Sequence, residues 1–270
     1  MAAFSGTWVN SYGSKMTLTA GSNETISGVY SSTTGSSGTY SITGFCGKQA
    51  SADQGIPLGM GIYWHSTDKK DQPDPSWHWT SDFSGQYFPA GPKNPETIEV
   101  LNMLNATSKF PGLNDKAPLL WPQTLQFTRM STEPAAPVAI TTSESFLGHG
   151  TWSTEDGEHT FILAKNLLNN HVAGKYFNYK DFTPISPEYW AQTSGQFDCY
   201  PRDPKAPLEV PAQSVYLVSE FHGRIRSFTG WVPYENKERM FLFSDDLSST
   251  PWGSRYVGSA IDKLVLIRRQ

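Results

Sequence analysis

Apolar and polar residues alternate with a period of two along short runs, broken roughly every 8–12 residues by Gly, Ser, Asn or Pro. In the first half this pattern predicts strands over Thr7–Val9, Lys15–Ala20, Thr25–Tyr30, Thr39–Cys46, Leu58–His65, Trp77–Phe88, Thr97–Ala106 and Thr124–Met130. Along Leu58–His65, Met60, Ile62 and Trp64 fall on one face and Gly59, Gly61 and Tyr63 on the other. Gly/Ser-rich Thr33–Gly38 and proline-containing Lys69–Pro75 read as loops, and proline-rich loops recur near Pro184–Pro187 and Pro201–Pro211. No run has the period and length of an ordinary helix; Thr107–Leu113 and Asp245–Ser249 could each hold a single turn. Eight antiparallel strands with short connections close most easily into an up-and-down barrel, because closure removes exposed strand edges.

The programme is written twice. Gly6-Thr-Trp8 returns as Gly150-Thr-Trp152, each with a Gly five residues beyond the Trp, and Gly28-Val-Tyr30 returns as Gly174-Lys-Tyr176. The Trp-to-Tyr spacing is 22 residues from Trp8 to Tyr30 and 24 from Trp152 to Tyr176. Gly44-Phe-Cys46 is answered by Gly195-Gln-Phe-Asp-Cys199, and Phe83-Ser-Gly85 by Phe228-Thr-Gly230. A late Trp, Trp121 or Trp252, leads into a closing apolar run in each half. Ordered similarity at one offset is the signature of duplication. The expectation is an all-β chain of two tandem eight-stranded antiparallel barrels, residues 1–130 and 147–270, joined by a Pro/Ala/Thr linker over 131–146.

Composition narrows the partners. Of 270 residues, 17% are charged and 13% aromatic, and the net charge of −4 comes without a basic block. Nucleic acid and an anionic membrane are therefore not expected partners. The N-terminus shows no signal peptide, so the expected location is cytoplasmic. Cys46 and Cys199 occupy matching places and read as buried apolar residues, and the six His lack metal-ligand spacing. No phosphate loop, nucleophile elbow or cofactor motif is present, so no cofactor or metal is expected.

Gly6-Thr-Trp-x-Asn-x-x-Gly-Ser14, Gly28-x-Tyr-x-Ser32, Gly59-x-x-x-x-Trp64 and Ser84-Gly-Gln-Tyr87 stand in family order, and residues 4–130 resemble the avidin/streptavidin family, particularly its fungal members. Residues 147–270 resemble it more weakly. The resemblance implies barrels with a small-molecule pocket at one mouth, for a hydrophobic or partly polar ligand. It also implies an intramolecular pseudo-dimer in which Trp121 and Trp252 are each lent to the other barrel's mouth, with a further homodimer left open. Asn10, Ser14 and Tyr30 match the family's ureido-oxygen ligands, Ser32 its ureido-NH acceptor, and Trp64 a wall Trp. Ser81 stands where a Thr meets the sulfur, and Phe83 replaces a second wall Trp. Trp79 intrudes where the family has a small residue, Glu99–Asn105 lacks the next wall Trp, and the Val-Gly-x-Asp beyond Trp121 is gone. High-affinity biotin binding is therefore not expected.

In the second half the repeat sets Thr154 and Glu158 at the places of Asn10 and Ser14, with Tyr176 at that of Tyr30. Glu158 then points either into the mouth opposite Tyr176 or, as part of Glu155-Asp-Gly-Glu158, into solvent as a turn residue. Three functions fit. One is a small-molecule binder using the Asn10, Ser14, Tyr30 and Ser32 set. Another is a cofactor-independent cyclase or isomerase acting through Glu158 and Tyr176, or Asn10 and Tyr30. The third is a cytosolic sugar-binding defence protein using Trp77 and Trp79.

Overall fold

The computed structural model describes residues 3–33, 37–67, 77–92, 94–109, 117–134, 146–165, 171–179, 190–199, 202, 205, 207–251 and 261–269. The first barrel runs β1 (Gly6–Asn10), β2 (Lys15–Ala20), β3 (Thr25–Ser32), β4 (Gly38–Cys46), β5 (Ile56–Tyr63), β6 (Trp79–Phe88), β7 (Thr97–Ala106) and β8 (Leu119–Ser131). The second runs β9 (Gly150–Ser153), β10 (His159–Lys165), β11 (His171–Asn178), β12 (Ala191–Phe197), β13 (Ala212–Phe221), β14 (Arg224–Pro233), β15 (Arg239–Leu247) and β16 (Ile261–Arg269). Each set pairs neighbour to neighbour, antiparallel, and closes β8 on β1 and β16 on β9. A single 3-10 turn at Pro207–Glu209 is the helical content of the described residues. The turn expected at Asp245–Ser249 is overturned: β15 continues to Leu247, and Asp245 is fully buried within it.

Alternation fills both interiors. Trp8, Met16, Leu18, Leu58, Met60, Ile62 and Phe127 belong to one core, and Trp152, Phe161, Leu163, Leu217, Leu242 and Leu266 to the other. The indole of each opening Trp donates to the carbonyl four residues before it, Trp8 to Phe4 at 2.9 Å and Trp152 to Gly148 at 2.8 Å. An arginine covers each ring, Arg129 at 4.2 Å and Arg268 at 4.3 Å. Both cysteines are buried and free, but the matching is corrected: the register sets Phe197, not Cys199, opposite in role to Cys46. Phe197 and Phe228 are interior, whereas Trp231, Phe241 and Phe243 alternate with core Val232, Met240 and Leu242 and form a cluster on the outer face.

The barrels meet through β4–β7 and β12–β15. At the seam, Phe45, Tyr216, Val218, Ile225 and Leu247 form an apolar cluster. A Cβ on Gly61 would stand 2.1 Å from the Tyr216 ring, and one on Gly59 within 2.7 Å of Ile225 and Val218. By register Gly59 and Gly61 are the equivalents of Tyr216 and Val218. Residue i of one barrel thus meets j of the other and j meets i, the isologous pattern of a twofold pair. One half supplies the hollow and the other the knob, a difference that only a duplicated chain can encode.

Polar groups cross the same seam. Asp198, just beyond β12, accepts from Tyr63 Oη at 3.2 Å, His65 Nε2 at 3.1 Å and His78 Nδ1 at 2.5 Å. Burial alone would raise this carboxyl, yet the two imidazoles hold it down at about 2. Ser227 donates to Asp82 at 2.6 Å and Ser84 to Asp245 at 2.5 Å. Burial pushes the Asp82 carboxyl well above the usual carboxylate range, against the Ser227 bond, and the Asp245 charge adds to the rise.

Candidate functional site

In the first barrel the residues matched to the family come together at one mouth. Asn10 Oδ1 accepts the Tyr12 and Ser14 amides at 3.1 and 3.0 Å, closing the β1–β2 turn around Gly13, whose positive φ of 83° suits glycine. Tyr30 bonds Ser14 and Asn10, which lowers its phenol pKa, but burial dominates and raises it. Trp64 Nε1 donates to Ser81 Oγ at 2.9 Å. The Trp64 ring packs against Tyr40 at 4.8 Å and Tyr30 at 5.9 Å, and Phe83 against Tyr30 at 5.7 Å. Ser32 is buried beside them. Trp79 is also buried, stacked on Trp77 at 4.8 Å, while the intervening His78 turns to Asp198. The polar groups are thus largely occupied with each other and the rings with each other.

The lending of Trp121 is corrected. It lies on β8, outside the contacting strands, is 43% exposed, and does not border the second mouth. Trp252, like linker residues 135–145, lies outside the described residues.

The second mouth has the same frame and different chemistry. Thr154 takes the place of Asn10: its carbonyl accepts from Gly157 N as that of Asn10 does from Gly13 N, at 3.0 Å in each. Thereafter the turn is one residue longer. Trp8 pairs with Met16, eight residues on, whereas Trp152 pairs with Phe161, nine on. Glu158 is the inserted residue, and His159 takes the place of Ser14. The expected Glu158–Tyr176 pair is therefore corrected: His159 Nδ1 is 2.8 Å from Tyr176 Oη, and Arg226 Nη1 donates to the same oxygen at 2.7 Å. Glu158 is half-buried at the rim, its amide bonded to Asp156 Oδ1 at 3.0 Å. The 24-residue spacing was the signal for this shift, since it exceeds the first repeat's.

Following the ladders outward gives the remaining substitutions. In the first barrel one row across the mouth reads Ile42, Ile62, Ser81, Leu104. Its counterpart reads Thr193, Ser219, Arg226, Asp246. Thr193 and Ser219 bond each other at 2.8 Å. Arg226 gives Nε to Asp246 Oδ1 at 2.8 Å and Nη2 to Asp246 Oδ2. Burial pulls the guanidinium pKa down, but the bonds and charges of Asp246 and Tyr176 raise it, so Arg226 stays charged. Tyr40, which packs on Trp64, is replaced by Ala191. A mostly apolar row has become a polar one, and in the first barrel a cavity of about 420 Å³ borders Asn10, Tyr12 and Leu125. A cavity of about 540 Å³ opens between Thr154, His159, Asn178, Arg226, Ser244 and Asp246, within the range of small-molecule sites. A small cleft beside Ala191 shares Arg226 and Asp246 with it.

The avidin family's sequence model matches residues 1–115, within the first barrel. No curated protein matches the chain.

Proposed function

We propose, from a first barrel that matches the avidin family's sequence model and a second that repeats its topology, that this protein binds a small, polar organic molecule in the mouth of the second barrel. The observation that carries this reading is the exchange of Ser81 and Leu104 for Arg226 and Asp246 at the border of the 540 Å³ cavity, with Tyr40 and Ile62 replaced by Ala191 and Ser219 in the cleft that adjoins it. Liquid chromatography–mass spectrometry of denatured, freshly purified protein is expected to release a bound molecule. Ala191→Tyr, which restores the first barrel's side chain, is expected to abolish retention, whereas Tyr40→Ala leaves it intact. Full retention by the Ala191→Tyr protein would remove the second mouth as the site.

Biotin is not that molecule. The first barrel's Asn10, Tyr30 and Ser81 are engaged internally, and each lost buried hydrogen-bond partner costs about 1–3 kcal/mol. Calorimetry at pH 7 is expected to give a micromolar or weaker constant, or no heat; a nanomolar constant contradicts the reading.

A second reading, a cofactor-independent cyclase or isomerase, draws support from Tyr176 Oη lying between Arg226 and His159. A phenol so placed can pass a proton to a ligand and recover it from the imidazole. Under this reading His159 replaces Glu158 as partner of Tyr176. Chemical change of the retained molecule by wild-type protein, absent with Tyr176→Phe, would favour it.

A further inference from the structure

We infer that the first barrel binds a neutral oligosaccharide in an open groove beside its β1–β2 turn, against the exposed rings of Tyr12 and Trp121. This site is separate from the second mouth. The groove exists because β8 outruns β1. Their pairing ends at Asn10 and Phe127, so Leu119–Gln126 of β8 pair with β7 alone. A cavity of about 420 Å³ lies in the gap, bordered by Thr124, Leu125 and Gln126 in succession. Adjacent residues of a strand face opposite sides. Leu125 belongs to the core, whereas Thr124 and Gln126 are exposed, so the cavity wraps the strand edge from the interior to the outer surface. A site open to the outside in this way admits a unit within a chain as well as a chain end.

The lining sets the ligand chemistry. Among the described residues, no Lys, Arg, Asp or Glu borders this cavity. Its polar groups are hydroxyls and amides, from Asn10, Ser11, Tyr12, Thr124 and Gln126. Such groups both donate and accept, which suits a ligand rich in hydroxyls and offers no counter-charge to a carboxylate, phosphate or amine. In the second barrel the equivalents are ionic: Asp156 stands for Tyr12, Asp262 for Gln123 and Lys263 for Thr124. The same gap is thus neutral in one repeat and charged in the other.

The rings are an independent observation. Tyr12 is 55% exposed and Trp121 43%, although most large aromatics of this barrel are buried. Gln123 Nε2 donates to Tyr12 Oη at 3.2 Å, which anchors the phenol at the groove. Gln123 and Trp121 lie two apart on β8 and share a face, so the indole stands beside the same amide. The face of an aromatic ring is electron-rich and the C–H groups of a pyranose are weakly positive, so the two stack. Amides and hydroxyls around a stacking ring fit a sugar, where an apolar ligand would leave them unused. An added peptide strand fits less well, because Pro122, which has no N–H, sits in that edge.

The test is a glycan array probed with the full chain, carrying neutral glucan, chitin, mannan and galactan oligosaccharides beside sialylated and sulfated ones. Binding to at least one neutral class is expected, and it should survive about 0.5 M salt, since no charge pair is involved. For that glycan, Tyr12→Ala and Trp121→Ala are each expected to weaken binding about tenfold or more in calorimetry. Both side chains are exposed, so an unchanged unfolding midpoint identifies the loss as one of contact. Thr124→Lys, an exposed change that brings in the second barrel's charge, is expected to weaken binding as well and stands in for either variant should it misfold. Binding to no neutral glycan, or to charged glycans only, overturns the assignment. So does neutral-glycan binding that the three variants retain in full, which would put the sugar elsewhere on the chain.

Discussion

Replacing Asp198 by alanine is expected to destabilise the folded chain by about 3–5 kcal/mol, the typical cost of removing one partner from a buried charged cluster. Asp198 sits in the second barrel, yet Tyr63, His65 and His78, which hydrogen-bond to its carboxylate, come from the first. Its loss leaves two imidazoles and a phenol facing a buried void without their shared acceptor. Asp198→Asn keeps one acceptor oxygen and is expected to fall between wild type and alanine. Urea unfolding at neutral pH measures both; a loss below about 1 kcal/mol for alanine would show that the seam relaxes around the gap. The pH dependence has a definite sign. The carboxyl pKa is depressed to about 2 on folding, so its contribution is complete above the ordinary carboxylate range. It is lost as pH falls towards 2. The acid limb of the stability curve is therefore expected to flatten in the alanine variant.

Gly61→Leu is expected to cost about 3 kcal/mol or more, at the upper end for overpacking a rigid site. The first added carbon already lies 2.1 Å from a Tyr216 ring atom, and the Tyr216 hydroxyl is tied to Thr43 at 2.7 Å and Gln196 at 2.9 Å. The ring therefore cannot swing aside without breaking those bonds. Tyr216→Ala is expected to rescue part of the loss, because it restores the hollow from the other side. Equal unfolding midpoints for wild type and Gly61→Leu would mean that the barrels are not packed this closely. Non-additivity in the double variant is the signature sought, since only groups in contact couple.

The sequence carried the barrels well and the site in part. Lys15–Ala20 and Thr97–Ala106 emerge with the boundaries that alternation predicts, because one buried face imposes a period of two on the residues themselves. Leu58, Met60, Ile62 and Trp64 line the core, and Gly59 and Gly61 face away, as the pattern required. The purpose of that second face was not legible, since a glycine does not say what approaches it. Asn10, Ser14, Tyr30 and Trp64 do converge at one mouth. The outer cluster of Trp231, Phe241 and Phe243 was not legible either, because hydrophobicity alone does not tell the inside of a barrel from an apolar outside.

By itself, the sequence determined that the chain is β throughout, duplicated, and built from eight strands per repeat, since period, turn chemistry and the recurring Gly-Thr-Trp are local and survive without coordinates. Only the tertiary structure decided which residue stands beside Tyr176. The β9–β10 turn absorbs a one-residue insertion, so counting along the repeat names Glu158 where ladder pairing puts His159. The row of Thr193, Ser219, Arg226 and Asp246 is likewise assembled across four strands, with no motif along any one of them. The Asp198 cluster joins residues 120 to 135 positions apart, a closeness that exists only once both barrels have closed and docked.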